Sequence, residues 1–305
     1  MYKPHSLIDD AVHSHSYNPA LLERLLLRVS RRWIAGYSTA DAINAARSSL
    51  NFGSSPILNY LGEENTNEEQ ITTTVREYTT LLDLLSLNNI HGAVSVKPSQ
   101  IGLSINYETC LENILKISER SKKNGVFLWI DMESYRYVEN TLSLYLDTFG
   151  GNNQVGVVIQ SYLKRSYSDL MHLVEKKANV RIVKGAYTEE ESIAFHSSQE
   201  IDRNFSLLMK FMFENAEREI IAIATHDSNL IEEAITLHEG SKSKHDLQFQ
   251  LLRGIRDKLK KTLVRKKYSV WEYIPYGDAW LPYSIRRIRE RKRNIILLAR
   301  SLIQS

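Results

Sequence analysis

VGVVIQ, residues 155–160, decides the fold, because it is apolar up to its last residue rather than alternating between apolar and polar positions. A strand of this kind is covered on both faces, which is typical of a parallel sheet flanked by helices. The segment IIAIAT, residues 220–225, has the same character, and each of the two segments is followed by an amphipathic stretch with helical spacing. The two segments therefore predict strand–helix units of a parallel sheet.

The same alternation extends outward from these segments over most of the chain. The eight predicted strand–helix units are 57–61 with 67–87, 93–97 with 107–123, 126–132 with 135–148, 155–160 with 167–176, 180–184 with 198–218, 220–225 with 230–238, 247–251 with 255–265, and 268–274 with 281–302. Eight units in about 250 residues predict an α/β fold of the closed (βα)8 TIM-barrel type. An open dinucleotide-binding sheet is the alternative, but no GxGxxG motif follows any of the strands.

Two helical stretches precede the first predicted strand: ALLERLLLRVSRRWIAGY (20–37), which Asn18-Pro19 opens, and ADAINAARSSLN (40–51). Ser38 or Thr39 is placed to cap the second of them, which ends near Gly53. No linker or shift in composition divides the rest of the chain. We therefore divide the chain into a helical N-terminal extension, 1–53, and a barrel, 54–305, whose last helix closes the site.

The composition is that of a globular protein, with 43% hydrophobic and 25% charged residues among 305. The N-terminus lacks the pattern of a signal peptide, and no apolar run approaches the roughly 20 residues of a membrane-spanning helix. The single cysteine, Cys110, excludes a disulfide framework and a thiolate metal cluster. Together these features predict a cytoplasmic protein.

The net charge of +3 conceals an asymmetry along the chain. Residues 253–293 carry fourteen Lys and Arg against four acids, a balance of +10, which leaves −7 for the remainder. A basic region of this kind attracts nucleic acid, anionic lipid or a phosphorylated cofactor, although most basic helices are simply solvated. No nucleic-acid motif and no aromatic–basic interleaving accompany the charge, so we expect no nucleic-acid partner.

Polar residues recur where the predicted strands end, which is where (βα)8 barrels carry their sites. They are Lys97, Asp131, Glu133, Gln160, Arg181, Lys184, Thr225, His226, Gln248, Gln250 and Tyr273. So many polar strand ends are hard to reconcile with core packing alone, because an unpaired buried charge costs several kcal/mol. Lys97 and Asp131, on neighbouring strands, are expected to pair and also to shape the site.

The sequence lacks the motifs of metal-dependent hydrolysis and of covalent acyl chemistry. The chain has no HExxH motif, and His226 has no histidine or carboxylate at metal-ligand spacing, so we expect no metal site. On its own, His226 is more often a hydrogen-bonded core histidine than a ligand. The chain also has no GxSxG motif, and Cys110 is not at a strand end, so we expect no covalent acyl chemistry.

The final segment, YIPYGDAWLPYSIRRIRE at 273–290, turns through Pro275 and Gly277 and then enters a helix. Three of its residues share one face of that helix at i, i+3 and i+4 spacing: Tyr283, Arg286 and Arg287. Paired guanidinium groups suit a small carboxylate, although a lone Arg–Arg pair is more often a solvated basic face. The cationic mouth of the barrel predicts an anionic cofactor together with an anionic substrate.

These segments resemble the proline dehydrogenase family, also called proline oxidases. The resembling blocks are VSVKPSQIGL (94–103), LWIDMES (128–134), VIQSYLKR (158–165), RIVKGAY (181–187), ATHD (224–227), QFQLLRGI (248–255) and YIPYGDAWLPYSIRRIRE (273–290). They come in the family's order and extend from the second strand to the last helix. RIVKGAY and the Tyr-x-x-Arg-Arg ending are the specific ones, and the length is similar to that of the short, monofunctional microbial members.

The resemblance implies a barrel that binds FAD non-covalently and oxidises L-proline to 1-pyrroline-5-carboxylate by hydride transfer to the flavin, the first step of proline catabolism. It implies that the electrons pass to a quinone or another acceptor. Because members of this family usually deliver electrons at a membrane, we expect the basic C-terminal region to give peripheral contact with the inner face of the membrane.

The resemblance also implies roles for individual residues. The expected catalytic residues are Asp131 and Arg181, of which Arg181 lies beside the reactive edge of the flavin. The expected substrate-binding residues are Lys97, Tyr273, Tyr283, Arg286 and Arg287, and the paired arginines hold the carboxylate. The expected FAD-contacting residues are Met132, Gln160, Lys184, Gly185, Ala186, Thr225 and His226. Glu290 matches a glutamate near the arginines, whereas Gln248 stands where members of the family often carry glutamate.

Two other functions are compatible with parts of the sequence. A lysine at a strand end, Lys184 or Lys97, is suited to a Schiff base, as in a flavin-free barrel lyase or aldolase. The third interpretation is a basic adaptor or a membrane-surface protein built on an inactive barrel, and the full set of polar strand ends argues against it.

Overall fold

Eight parallel strands close into one barrel in the computed structural model, which describes residues 30, 32–149, 154–241, 245–281 and 283–284. The strands follow one another in sequence order, and the last pairs with the first. They are β1 (Ser55–Tyr60), β2 (Ala93–Val96), β3 (Phe127–Ile130), β4 (Val155–Gln160), β5 (Asn179–Val183), β6 (Ile220–Ala224), β7 (Asp246–Leu252) and β8 (Ser269–Tyr276). The predicted (βα)8 barrel is confirmed.

Helices surround this barrel in the described part of the chain. They are α1 (Thr39–Phe52), α2 (Glu68–Leu87), α3 (Tyr107–Asn124), α4 (Val138–Phe149), α5 (Ser166–Glu175), α6 (Ser198–Asn215), α7 (Ser228–Gly240) and α8 (Asp257–Arg265). The first precedes the barrel, and each of the others follows one strand. Single 3-10 turns occupy Pro98–Gln100 and Tyr135–Tyr137. None of the helices within these described ranges is long and apolar enough to cross a membrane.

The start and end of α1 follow from its sequence. Ser38, rather than Thr39, is the N-cap: its hydroxyl accepts the N–H of Asp41, and the Asp41 carboxylate accepts the N–H of Ser38. Gly53 ends the helix in the left-handed conformation. The helix packs against β1 and β8 and shares the main hydrophobic core with the barrel, so the boundary at residue 53 stays a prediction.

The predicted turn at Pro275 is wrong, because β8 continues to Tyr276. Pro275 lies opposite Asn59 of β1, and its carbonyl oxygen accepts the N–H of Ala35 at 2.8 Å. Proline has no backbone N–H, so the strand loses one ladder hydrogen bond at this position and otherwise continues. The chain turns at Gly277 instead, whose N–H donates to the carbonyl of Gly36 at 2.9 Å.

Apolar side chains, two of them tryptophans, fill the interior of the barrel. The inner cluster consists of Ile57, Ala93, Trp129, Ala222 and Trp271. Gly156 of β4 lies beside Trp129, and a Cβ at this glycine would stand 2.5 Å from Cζ3 of the indole. Because the glycine leaves that space open, the indole occupies it and forms a floor for the guanidinium of Arg181, which lies over the ring.

A second, smaller cluster joins the N-terminal segment to the region after β8. It consists of Trp33, Ile34, Leu61, Trp280 and Tyr283. The indole N–H of Trp33 donates to the hydroxyl of Ser284 at 3.2 Å. The described part of the extension therefore holds Tyr283 in place. Most of the predicted helix 20–37 lies outside the described residues, and its end is wrong, because residues 32–37 form a turn and irregular chain rather than a helix. Most of the predicted helix 281–302 also lies outside the described residues.

Candidate functional site

A cavity of about 490 Å³ lies at the C-terminal ends of the strands. This volume is within the range of small-molecule sites. The described residues to which the resemblance assigns a catalytic, substrate-binding or FAD-contacting role all line this one cavity: Lys97, Asp131, Met132, Gln160, Arg181, Lys184, Gly185, Ala186, Thr225, His226, Tyr273 and Tyr283. Arg286, Arg287 and Glu290 lie outside the described residues.

Asp131 is the centre of a hydrogen-bonded network at the base of the cavity. Its Oδ1 accepts from Nη1 of Arg181 at 2.8 Å and from the hydroxyl of Ser95 at 2.7 Å. Its Oδ2 accepts from the phenol of Tyr273 at 2.8 Å. One carboxylate therefore orients an arginine, a serine and a tyrosine from three other strands.

Arg181 is directed into the barrel, with only 3% of its surface exposed. Its Cζ lies 4.4 Å from the centroid of the Trp129 ring, so the guanidinium stacks on the indole floor. Burial lowers the pKa of Arg181, and Asp131 acts in the opposite direction. The Nε and Nη2 atoms have no hydrogen-bond partner within the described part of the chain, so two fixed donors are left for a bound molecule.

Tyr273 and Lys97 flank Asp131. Burial, followed by the charge of Asp131, raises the pKa of Tyr273 well above its usual range, so the phenol keeps its proton and acts as a donor. The Nζ of Lys97 stands 3.9 Å from Oδ2 of Asp131 and also 3.9 Å from Oε1 of Glu63. The predicted Lys97–Asp131 pair is therefore present as a long contact, and Arg181 is the closer cation.

Lys184 follows β5 at the rim of the cavity. Its Nζ contacts Oδ1 of Asp202 at 2.5 Å and Oδ2 of Asp227 at 3.0 Å. Burial lowers the pKa of Lys184, but the two carboxylates outweigh that effect and raise it overall. Asp227 also caps α7 by accepting the N–H of Asn229 at 3.0 Å. The ammonium is thus held as a fixed positive charge.

Gly185 follows Lys184 with a φ of +106°, a conformation that favours glycine. A Cβ at this position would lie 2.1 Å from Cδ1 of Tyr162. The backbone therefore lies directly on the Tyr162 ring on one side while Gly185 and Ala186 line the cavity.

The end of β4 and the loop after β6 supply neutral polar groups. The side-chain amide of Gln160 donates to the carbonyl of Met132 at 3.3 Å, and its Oε1 has no partner among the described residues. The Nε2 of His226 accepts the N–H of Leu252 at 3.1 Å, which assigns the ring proton of the neutral form to Nδ1. Thr225 accepts the N–H of Asp227 at 3.2 Å.

The two glutamines of β7 lie at different depths. Gln250 lines the cavity and donates to Gln248 at 3.2 Å, and Gln248 donates to Asp246 at 2.8 Å. Gln248 does not line the cavity. The Oε1 of Gln250 has no partner in the described ranges and gives the cavity a second unpaired acceptor.

Sequence reasoning missed Ser95, Trp129, Asp202 and Glu63, all of which lie in or against the cavity. Ser95 and Trp129 belong to strands whose alternation places them inward together with Lys97 and Asp131, and this register was the available signal. Asp202 lies on α6, far along the chain from Lys184, and no spacing connects the two residues.

Glu133 lies just behind the cavity and does not line it. It is 2% exposed and accepts from Ser99 through both oxygens. Burial raises the pKa of Glu133 to about 7, although the Ser99 hydrogen bonds act in the opposite direction. In the described part of the chain, no group of three His, Cys, Asp or Glu side chains is placed to hold a metal ion.

Comparison with known proteins identifies the family. A sequence model of the proline dehydrogenase family matches residues 42–297. Proline dehydrogenase 1 of Bacillus subtilis is 30% identical over 278 residues, which cover 90% of this chain and 91% of that protein. Proline dehydrogenase of Deinococcus radiodurans is 31% identical over 292 residues, which cover 93% of each.

A solved structure shows the same fold. Proline utilization A of Bdellovibrio bacteriovorus superposes with a TM-score of 0.79 at 23% sequence identity. The match covers 88% of this chain but only 33% of that longer one. Because the family model spans most of the chain and both relatives match it over nearly their whole length, the chain belongs to the proline dehydrogenase family of oxidoreductases.

Proposed function

We propose that this chain oxidises L-proline to 1-pyrroline-5-carboxylate with non-covalently bound FAD. The observation that carries the proposal is the Asp131–Arg181–Tyr273 network at the base of a cavity that every described site residue lines. FAD, when bound, supplies the acceptor for the two electrons removed from the substrate.

The residues proposed to hold FAD are Met132, Gln160, Lys184, Gly185, Ala186, Thr225 and His226. The unpaired polar atoms at the cavity support this assignment, because a flavin ring has both hydrogen-bond acceptors and a donor at its polar edge. Arg181 has two unpaired donors there, and Gln160 and Gln250 each have an unpaired acceptor. A large cavity with fixed, unpaired groups of both kinds fits the ring.

Arg181 is proposed to supply a fixed positive charge. Its guanidinium is held by Asp131 and Ser95 and by the Trp129 ring, so it does not reorganise when negative charge develops nearby. Preorganised charge in a site that excludes water stabilises such a change more than a mobile group does. Asp131 orients Arg181 and is the proposed second catalytic residue.

Lys97, Tyr273 and Tyr283 are proposed to bind the substrate. Arg286 and Arg287 are proposed to hold its carboxylate, and their bidentate donors suit that group. Binding the carboxylate at fixed donors orients the ring, which places one ring carbon for the reaction.

The test is the absorption spectrum of the purified protein before and after anaerobic addition of L-proline. We expect a yellow protein whose flavin bands bleach with L-proline and stay unchanged with buffer alone. A yellow protein whose flavin bands do not change with L-proline would contradict the substrate assignment. A colourless protein that FAD does not reconstitute would contradict the cofactor assignment and with it the reaction.

A lyase that forms its Schiff base at Lys184 is less compatible with this site than the flavin enzyme is. An imine-forming lysine needs a neutral amine, and burial without a counter-charge lowers the pKa to provide one. Lys184 instead contacts two carboxylates, Asp202 and Asp227, and its pKa is raised.

The proposed electron acceptor is a membrane quinone, which the protein reaches from the cytoplasm by peripheral contact with the inner face of the membrane. Support comes from α8 and its ends, where six exposed cations lie: Arg256, Lys258, Lys261, Arg265, Lys266 and Lys267. Such a surface is attracted to anionic lipid headgroups.

A further inference from the structure

We infer that Glu133 is a positioning residue of the substrate pocket, which fixes Lys97 and the loop after β1 through Ser99. The inference rests on the proposed function, in which Lys97 binds the substrate. In the sequence, Glu133 is one of several polar residues just beyond a strand end, and that position alone assigns it no role in the reaction.

Glu133 contacts Ser99 through both of its carboxylate oxygens. The N–H of Ser99 donates to Oε1 of Glu133 at 2.9 Å, and the hydroxyl donates to Oε2 at 2.5 Å. Ser99 is fully buried in the 3-10 turn Pro98–Gln100, which begins directly after Lys97. The carboxylate of Glu133 therefore holds the turn from which Lys97 extends.

Ser99 is in turn hydrogen-bonded to the loop after β1. The hydroxyl of Ser99 accepts the N–H of Glu64 at 2.9 Å, and its carbonyl oxygen accepts the N–H of Asn65 at 3.1 Å. Glu133 follows β3, Ser99 follows β2, and Glu64 follows β1. One buried carboxylate thus connects the loops after three consecutive strands, including the loop that presents Glu63 to the cavity.

The ammonium group of Lys97 makes only long contacts with its two acidic neighbours. Its Nζ lies 3.9 Å from both Glu63 and Asp131, which is at the outer limit of an ion pair. Such long contacts restrain the ammonium weakly, so its place depends on the backbone of the 3-10 turn. That backbone is held by Glu133.

The burial of the Glu133 carboxylate carries a desolvation cost. Removing a carboxylate from water costs several kcal/mol, and the raised pKa of Glu133 reflects that cost. The two hydrogen bonds from Ser99 lower the pKa and so offset part of that cost. The link to Ser99, rather than a charge, is therefore what holds the turn.

The test compares steady-state kinetics of the full-length holoenzyme with an artificial dye as electron acceptor. For Glu133→Ala we expect KM for L-proline to rise about ten-fold, with kcat changed less than about two-fold and flavin content unchanged, because a shift of the ligand-binding group weakens binding. Glu133→Gln keeps an acceptor for the N–H of Ser99 and should restore most of the wild-type KM.

Glu272→Ala is the matched control. Glu272 is also a buried carboxylate, but it pairs with Lys260 and Arg253 and does not line the cavity. Its loss should lower the melting temperature and leave KM for L-proline unchanged. A rise in KM specific to Glu133→Ala therefore separates positioning from general destabilisation.

An unchanged KM in Glu133→Ala would overturn the inference, as would an equal rise in Glu272→Ala. Where Glu133→Ala does not fold, Ser99→Ala replaces it, and a wild-type KM in that variant overturns the inference as well. Bleaching of the wild-type flavin by L-proline is measured in parallel. Its absence would contradict the proposed function itself, so the two failures are distinguishable.

Discussion

Gly185 combines two requirements of the site in one residue. Its φ of +106° lies in the region that disfavours side chains, and the space where a Cβ would stand is occupied by the ring of Tyr162. The Tyr162 ring is buried, so it has little room to move away. The position therefore needs glycine for both its backbone conformation and its packing.

Gly185→Ala should lower the free energy of unfolding by about 3 kcal/mol, through backbone strain and overpacking against Tyr162. Urea unfolding of the two proteins measures the difference. Gly240→Ala is the control, since no atom lies within 4 Å of the Cβ it would add at the end of α7. The control should be neutral or slightly more stable. Equal stability of Gly185→Ala and the wild type would show that Tyr162 moves aside freely.

The sequence identified the charged residues of the site better than their partners. Asp131 and Arg181 are predicted because a charge within or directly after an apolar strand is conspicuous. Ser95 is not, because a small hydroxyl inside a strand is as common in a core as in a site, and only the register places it between the two. Asp202 contacts Lys184 across two elements, a pairing that periodicity does not encode.

At the scale of elements, a buried ion pair attaches α8 to β8. Lys260 of α8 is 3% exposed and contacts Glu272 of β8. The same Nζ lies 5.5 Å from the ring centroid of Phe52 in α1, and Arg253 stands 3.5 Å from Glu272. The pair thus connects three elements on the outer side of the barrel, away from the cavity.

Lys260→Met should lower the free energy of unfolding by about 3 kcal/mol, because it leaves the buried Glu272 with only the more distant Arg253. The double variant Lys260→Met/Glu272→Leu should recover most of that loss, since apolar residues of similar volume replace both charges. Urea unfolding measures both. A single variant as stable as the wild type would show that Glu272 is satisfied by Arg253 alone.

Element boundaries were predictable where a local signal marks them. The helix α3 begins after Asn106 and ends at Gly125, which are standard cap residues. The predicted start of the fourth helix at Tyr135 is instead a 3-10 turn, with α4 beginning at Val138. The extension of β8 through Pro275 depended on pairing with β1, which no local pattern reveals.

At the scale of the whole molecule, charge is distributed unevenly. Six exposed cations lie on and beside α8, whereas the chain outside residues 253–293 has a net charge of −7. An uneven distribution of this kind orients a protein at an anionic surface, and the attraction is screened by salt. The proposed membrane contact therefore predicts binding through α8 in particular.

Lys258→Glu/Lys261→Glu/Lys266→Glu should weaken binding to vesicles that contain phosphatidylglycerol at least ten-fold, since each surface cation contributes about 1 kcal/mol near such a membrane. Co-sedimentation at low salt measures the affinity. The control variant, Lys116→Glu/Lys122→Glu/Lys123→Glu, makes the same charge change at exposed positions of α3. Both variants should retain dye-linked oxidation of L-proline, because none of these lysines lines the cavity. An equal loss of vesicle binding in the two variants would mean that net charge, rather than the α8 surface, attracts the protein to lipid.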